Sequence, residues 1–73
     1  MDKTEAFKIV TKEYDKTTEN NPKFNSAHEG FAILKEEVDE LWDEIKNDSP
    51  RIMLRDEVKQ VAAMALRFLT DCC

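Results

Sequence analysis

Apolar residues recur along this chain in three stretches with helical spacing. Phe7, Val10 and Tyr14 stand three and four residues apart, the rhythm that lines one face of an α-helix. Phe24, Ala27, Phe31, Leu34, Val38, Leu41 and Ile45 keep alternating steps of three and four without interruption. Such a pattern makes a seam that faces other helices. Leu54, Val58, Val61, Ala65 and Phe68 continue it in a third stretch. Residues 61–66, Val-Ala-Ala-Met-Ala-Leu, are apolar all round, so the third helix is expected to bury more than one face.

The polar residues between these stretches punctuate them. Asp2 with Glu5, and Ser26 with Glu29, have capping-box spacing, in which the first side chain accepts from amides of the opening turn. Asn20-Asn21-Pro22 and Asn47-Asp48-Ser49-Pro50 are turn chemistry. Ser49 reads as the N-cap of the third helix and Pro50 as its first helical residue, where a missing N–H is not needed. The pattern predicts helices over about residues 3–18, 26–47 and 50–71. Gly30 lies inside the second and costs about 1 kcal/mol there relative to Ala. A close backbone approach and a tolerated defect account for it equally well.

The expected fold class is therefore all-α, one three-helix domain. Its 73 residues would bury only about 60–65% of the surface that the unfolded chain exposes. Chains of this size usually need a disulfide, a structural metal or a partner. The only cysteines, Cys72 and Cys73, are adjacent at the C-terminus and cannot staple distant segments or complete a four-ligand zinc site. Self-association, as a homodimer or homotetramer, is the expected way to complete the bundle.

Composition narrows the function classes. One Gly and two Pro argue against a turn-rich β fold. No apolar run approaches the roughly 20 residues that span a bilayer, and a start carrying Asp2 and Glu5 is not that of a signal peptide; no membrane partner is expected. Free thiols suit a reducing cytoplasm. A net charge of −5 disfavours a nucleic-acid polymer as partner, because that binding relies on phosphate neutralisation.

That charge is concentrated. Residues 29–44 hold seven acids (Glu29, Glu36, Glu37, Asp39, Glu40, Asp43, Glu44) against Lys35 alone, a local −6. On a helix, Glu37, Glu40 and Glu44 fall on the flank of the apolar seam. In the third helix Glu57 and Gln60 stand to Val58 as Glu37 and Glu40 stand to Val38. If the two flanks meet, Glu37, Glu40, Glu57 and Gln60 cluster, with Glu36 and Glu44 nearby. Carboxylates that close repel, and a divalent cation relieves them; all-oxygen ligation points to Mg²⁺ or Mn²⁺. The alternative is a solvated acidic face. Such faces normally interleave Lys with Glu, and residues 36–44 contain no base.

At these residues the chain resembles a known family. Glu36-Glu37-Val38-Asp39-Glu40 matches the Glu-Glu-x-x-Glu motif of the MazG-like all-α nucleoside triphosphate pyrophosphohydrolases. His28-Glu29-Gly30-Phe31, Leu41-Trp42-Asp43-Glu44 and the stretch from Val58 to Phe68 are similar to the short phage and bacterial members. The likeness covers roughly residues 24–71. The family's second motif, Glu-x-x-Asp, is Glu57-Val58-Lys59-Gln60 here, with a neutral amide in the last place. The resemblance implies Mg²⁺-dependent hydrolysis of a (d)NTP to the monophosphate and pyrophosphate. It implies Glu37, Glu40, Glu57 and Gln60 as metal ligands and Glu36 or Glu44 as the group that orients or deprotonates water. His28, Trp42, Arg55 and Lys59 are candidate substrate contacts, with Arg51 a further phosphate candidate. Each also has an ordinary reading: a first-turn polar residue for His28, an interface residue for Trp42, partners of the acidic face for the bases. Met53 and Met64 flank Glu57 and are expected to line the site or a subunit contact.

Overall fold

The computed structural model describes residues 1–73 and contains three helices and no strands: α1 (Lys3–Asn20), α2 (Ala27–Lys46) and α3 (Arg51–Cys72). The all-α class read from the sequence is what the chain adopts. Asp2 accepts from the Glu5 amide at 2.8 Å to open α1, and Ser26 accepts from the Glu29 amide at 3.1 Å to open α2. Helix α1 runs past the expected end near residue 18. The Asn20 amide donates to the Lys16 carbonyl at 2.9 Å and the Asn21 amide to the Thr17 carbonyl at 3.0 Å. These side chains supply the donors that the last carbonyls of a helix lack.

The cap of α3 differs from the reading of Ser49. The Ser49 N–H closes the preceding helix by donating to the Glu44 carbonyl, and Pro50 occupies the cap position with no side-chain bond. The reversal between α2 and α3 turns at Asp48, with φ of 51°. Asp tolerates that left-handed region better than most residues.

Helix α3 is the centre of the molecule. It packs against α2 on one side and α1 on the other, while α1 and α2 do not touch. The core is correspondingly small: Phe24, Ala63 and Met64 are its buried apolar members, with Tyr14, Ile33, Leu34, Phe68 and Cys72 packed around them. Only six of 73 residues are buried. This arrangement splits the seam of α2. Glu29, Gly30, Ile33, Leu34, Glu37, Leu41 and Glu44 are the covered or half-covered positions, whereas Phe31, Val38, Trp42 and Ile45 remain 60%, 44%, 56% and 44% exposed. A helix with one neighbour can bury only one flank of a broad stripe.

A polar latch closes the end where α1 hands over to α2. Arg67 and Asp71, one turn apart on α3, pair at 3.3 Å. Asp71 also accepts from the Phe24 amide at 3.1 Å, and Arg67 donates to the Pro22 carbonyl while lying 4.2 Å over the Phe24 ring. Every buried side-chain polar atom thus has a partner.

Gly30 is explained by the same packing. A Cβ built there would lie 2.8 Å from Phe68 Cδ2 and 3.0 Å from Phe24 Cδ2. Gly30→Ala is therefore expected to lower the melting temperature. The helix-propensity gain of about 1 kcal/mol is outweighed by overpacking against two rings, about 1–3 kcal/mol. A thermal melt followed by circular dichroism measures the sign, and a rise would show that the rings yield freely.

Candidate functional site

Antiparallel packing of α2 on α3 brings Glu57 opposite the pair Glu37 and Glu40. One carboxylate oxygen from each of the three lies within 4.8 Å of the others. Glu37 and Glu57 are half-buried and Glu40 is exposed, so the cluster sits at the rim of the α2–α3 contact, open to solvent on one side. No other group of three acids, His or Cys converges in this way.

The electrostatics follow from that position. Glu37 is pushed up from 4.5 to about 7, first by burial, then by the charge of Glu40 and a hydrogen bond shared with it, then by Glu57 and Glu36. Glu57 is raised by burial first, then by the charge and hydrogen bond of Glu40, then by Glu44 and Asp56. Glu36 and Glu44 thus act on the cluster through their charge. The acids on the other flank of α2 are treated differently. Asp39 pairs with Lys35 at 2.9 Å and Asp43 with Lys46 at 3.4 Å. Glu36, Glu37, Glu40 and Glu44 have no basic partner. Within residues 36–44 the unpaired acids are therefore those toward the flank that faces Glu57.

Such a donor set fits a small hard cation. Octahedral Mg²⁺ at about 2.1 Å sets neighbouring ligand oxygens about 3 Å apart and opposite ones about 4 Å apart. The present spread of up to 4.8 Å needs only a small inward movement of flexible side chains. Gln60, half-buried one turn beyond Glu57, offers a carbonyl oxygen without charge.

The raised Glu37 sets a pH dependence with a definite sign. Between pH 4.5 and 7 the folded chain holds a proton that the unfolded chain has released, so stability falls as pH rises through that window. Discounted for solvent screening, the loss is about 1 kcal/mol, or about 4–8 °C of Tm for a chain this size. Metal-free protein is expected to melt lower at pH 8 than at pH 5, with Glu37→Gln removing most of the difference. An unchanged pH profile in Glu37→Gln would place the titrating group elsewhere.

The other candidates lie apart from this cluster within one chain. His28 is exposed in the first turn of α2, nine residues and about 13 Å of helix before Glu37. Trp42 lies on the outward flank of α2, 5.7 Å beneath the Lys46 ammonium. Arg55 and Lys59 face α1, where Lys59 reaches Glu13 at 3.5 Å. Arg51 joins them in an apolar groove of about 560 Å³ between α1 and α3. Of the two methionines, Met64 is core and Met53 is exposed.

Three polar residues that matter were not singled out by spacing: buried Glu13 and Arg67, and half-buried Asp71. Glu13 falls in phase with Ala6, Val10 and Thr17 on the covered face of α1. Arg67 and Asp71 follow Ala63 at four-residue steps. A charge in apolar phase is the signal that marks all three.

Fold and site together define an all-helical chain with three acidic side chains gathered between two of its helices. Comparison with models of known protein families, with curated proteins and with solved structures finds no match. No helix is long and apolar enough to cross a membrane.

Proposed function

We propose that the chain is a Mg²⁺-dependent nucleoside triphosphate pyrophosphohydrolase of the MazG-like type, able to use Mn²⁺. It would hydrolyse a (d)NTP to (d)NMP and pyrophosphate in the cytoplasm, clearing non-standard or surplus nucleotides. One observation carries this reading: Glu37, Glu40 and Glu57, the residues assigned to metal by the family resemblance, converge from two helices to within 4.8 Å.

Roles follow for the residues of the chain. Glu37, Glu40 and Glu57 hold the cation with hard oxygens, and Gln60 adds an uncharged one. When bound, Mg²⁺ supplies charge neutralisation for the triphosphate and acidifies water. Glu44, half-buried beside Glu57, or Glu36, exposed beside Glu37, accepts the proton of the attacking water. His28, Trp42, Arg55 and Lys59 stand away from the carboxylates in one chain. Substrate contacts through them would come from another copy in an assembly.

The test is pyrophosphate release from a panel of (d)NTPs with Mg²⁺. Gln60→Asp restores the missing charge and is expected to raise the rate at limiting Mg²⁺, by about tenfold for each 1.4 kcal/mol gained in ion binding. An unchanged Mg²⁺ dependence would put Gln60 outside the ligand set. The neutral Gln60 also favours a second reading, a non-catalytic relative that binds nucleotide or protein as a helical oligomer. Binding of Mg²⁺ and nucleotide without turnover would select it.

A further inference from the structure

The carboxylate cluster has a basic counterpart between α1 and α3, and we infer that this cleft binds a phosphate-class anion. Lys12 and Lys16 project from α1 and Arg55 and Lys59 from α3 around a cleft of about 390 Å³, which also holds Glu13 and Asp56. Four bases against two acids leave the cleft at +2 in a chain whose net charge is −5. The volume lies within the usual range for small-molecule sites. Only two of its eight lining residues are apolar, which suits a multiply charged ligand better than an apolar one.

Two further features separate this cleft from scattered surface lysines. Lys59 is mounted from below: the buried Glu13 holds its ammonium at 3.5 Å and Asp56 holds it at 3.7 Å. Both distances exceed the roughly 2.7–2.9 Å of a tight charge-assisted bond. The ammonium is thus positioned by both carboxylates and keeps donors free for a ligand. The remaining cations, Lys12, Lys16 and Arg55, form no ion pair. Lys12 and Lys16 also stand four residues apart on one helix, a like-charge spacing that costs a few tenths of a kcal/mol. Two unpaired ammonium groups on α1, facing an unpaired guanidinium and an anchored ammonium on α3, form a two-sided clamp for phosphate oxygens. Free phosphate or pyrophosphate and the phosphate chain of a nucleotide share this chemistry.

The cleft includes Arg55 and Lys59, the substrate contacts proposed above, but lies apart from the carboxylate cluster, and it is tested without divalent ions. In EDTA, calorimetric titrations with orthophosphate, pyrophosphate and a nucleoside triphosphate are compared for wild type, Lys12→Ala/Lys16→Ala, Arg55→Gln and Lys8→Ala. Lys8 lies on α1 outside the cleft, so its variant controls for loss of charge alone. Binding at least about tenfold weaker in the double variant and in Arg55→Gln is expected from the loss of charge-assisted bonds, with Lys8→Ala close to wild type. Pyrophosphate binding as tightly as the triphosphate would identify a free-anion site; binding of the triphosphate alone would identify a nucleotide's phosphate chain. No binding of any of the three, affinities unaffected by the cleft variants, or an equal loss in Lys8→Ala would overturn the inference. Glu40→Gln should leave these affinities unchanged, so failure of the metal site and failure of this one are told apart.

Discussion

Glu40→Gln is expected to abolish pyrophosphate release while leaving the metal-free protein folded at least as stably as wild type. Among the neighbours of the cluster, Glu40 is the charge that acts most strongly on both Glu37 and Glu57. It is also the exposed member, so an isosteric amide disturbs no packing. Removing its charge weakens the hold on the cation and relieves repulsion in the absence of one. Turnover should fall at least about 100-fold, the scale of losing one preorganised electrostatic group at the reacting centre. Mg²⁺ should raise the Tm of wild type, and that rise should shrink in parallel, since a ligand stabilises the fold more the tighter it binds. Full activity in Glu40→Gln would remove the carboxylate cluster from the chemistry.

The sequence offered the cluster on one condition, that the flanks of the second and third helices meet, and the short turn between α2 and α3 goes part of the way to meeting it. That turn forces the helices antiparallel, and antiparallel neighbours with matching flanks oppose Glu37 and Glu40 to Glu57. Helix ends were legible for a local reason: Asp2 and Ser26 act on amides three residues away. What spacing could not supply was the angular position of each helix about its neighbour. The stripe from Phe24 to Ile45 has its centre between Leu34 and Val38, yet α3 packs nearer Gly30, Glu37 and Glu44. Gly30 permits this, because without a Cβ the backbone of α2 settles against Phe68. The order α1–α3–α2 in space was equally hidden. It depends on Arg67 and Asp71 gripping Pro22 and Phe24, contacts between residues more than forty positions apart that no local pattern encodes. The same arrangement turns Arg55 and Lys59 toward the side of Glu13, away from the acidic face that was one of their two readings.

The 8.5 kDa chain is expected to sediment as a dimer or tetramer at micromolar concentration, and Val38→Asp/Trp42→Asp to return it to a monomer. The exposed apolar row of α2 (Phe31, Val38, Trp42 and Ile45) has a companion on α3, where Val58 and Leu69 are 48% and 61% exposed. Because the helices are antiparallel and both right-handed, equal rotations from their contact line lead to the same side of the pair. By that construction both rows are placed on one face, opposite the flank that carries Glu40. The ion pairs of Asp39 with Lys35 and of Asp43 with Lys46 lie along its outer edge and neutralise the acids there. A face of this kind, which includes a Trp, has the composition of an interface core with a polar rim. Neither Val38 nor Trp42 belongs to the small intrachain core, so the two substitutions leave the fold of one copy intact. Each would place an unpaired carboxylate in a dry interface, at a cost of about 3 kcal/mol or more, and weaken association more than about 100-fold. Wild-type Tm should rise with protein concentration and that of the variant should not, since only an associating chain gains stability by mass action. A wild-type monomer that melts cooperatively at a concentration-independent temperature would mean that the exposed rows of α2 and α3 do not join two copies. The exposed row on α2 would then need a different partner.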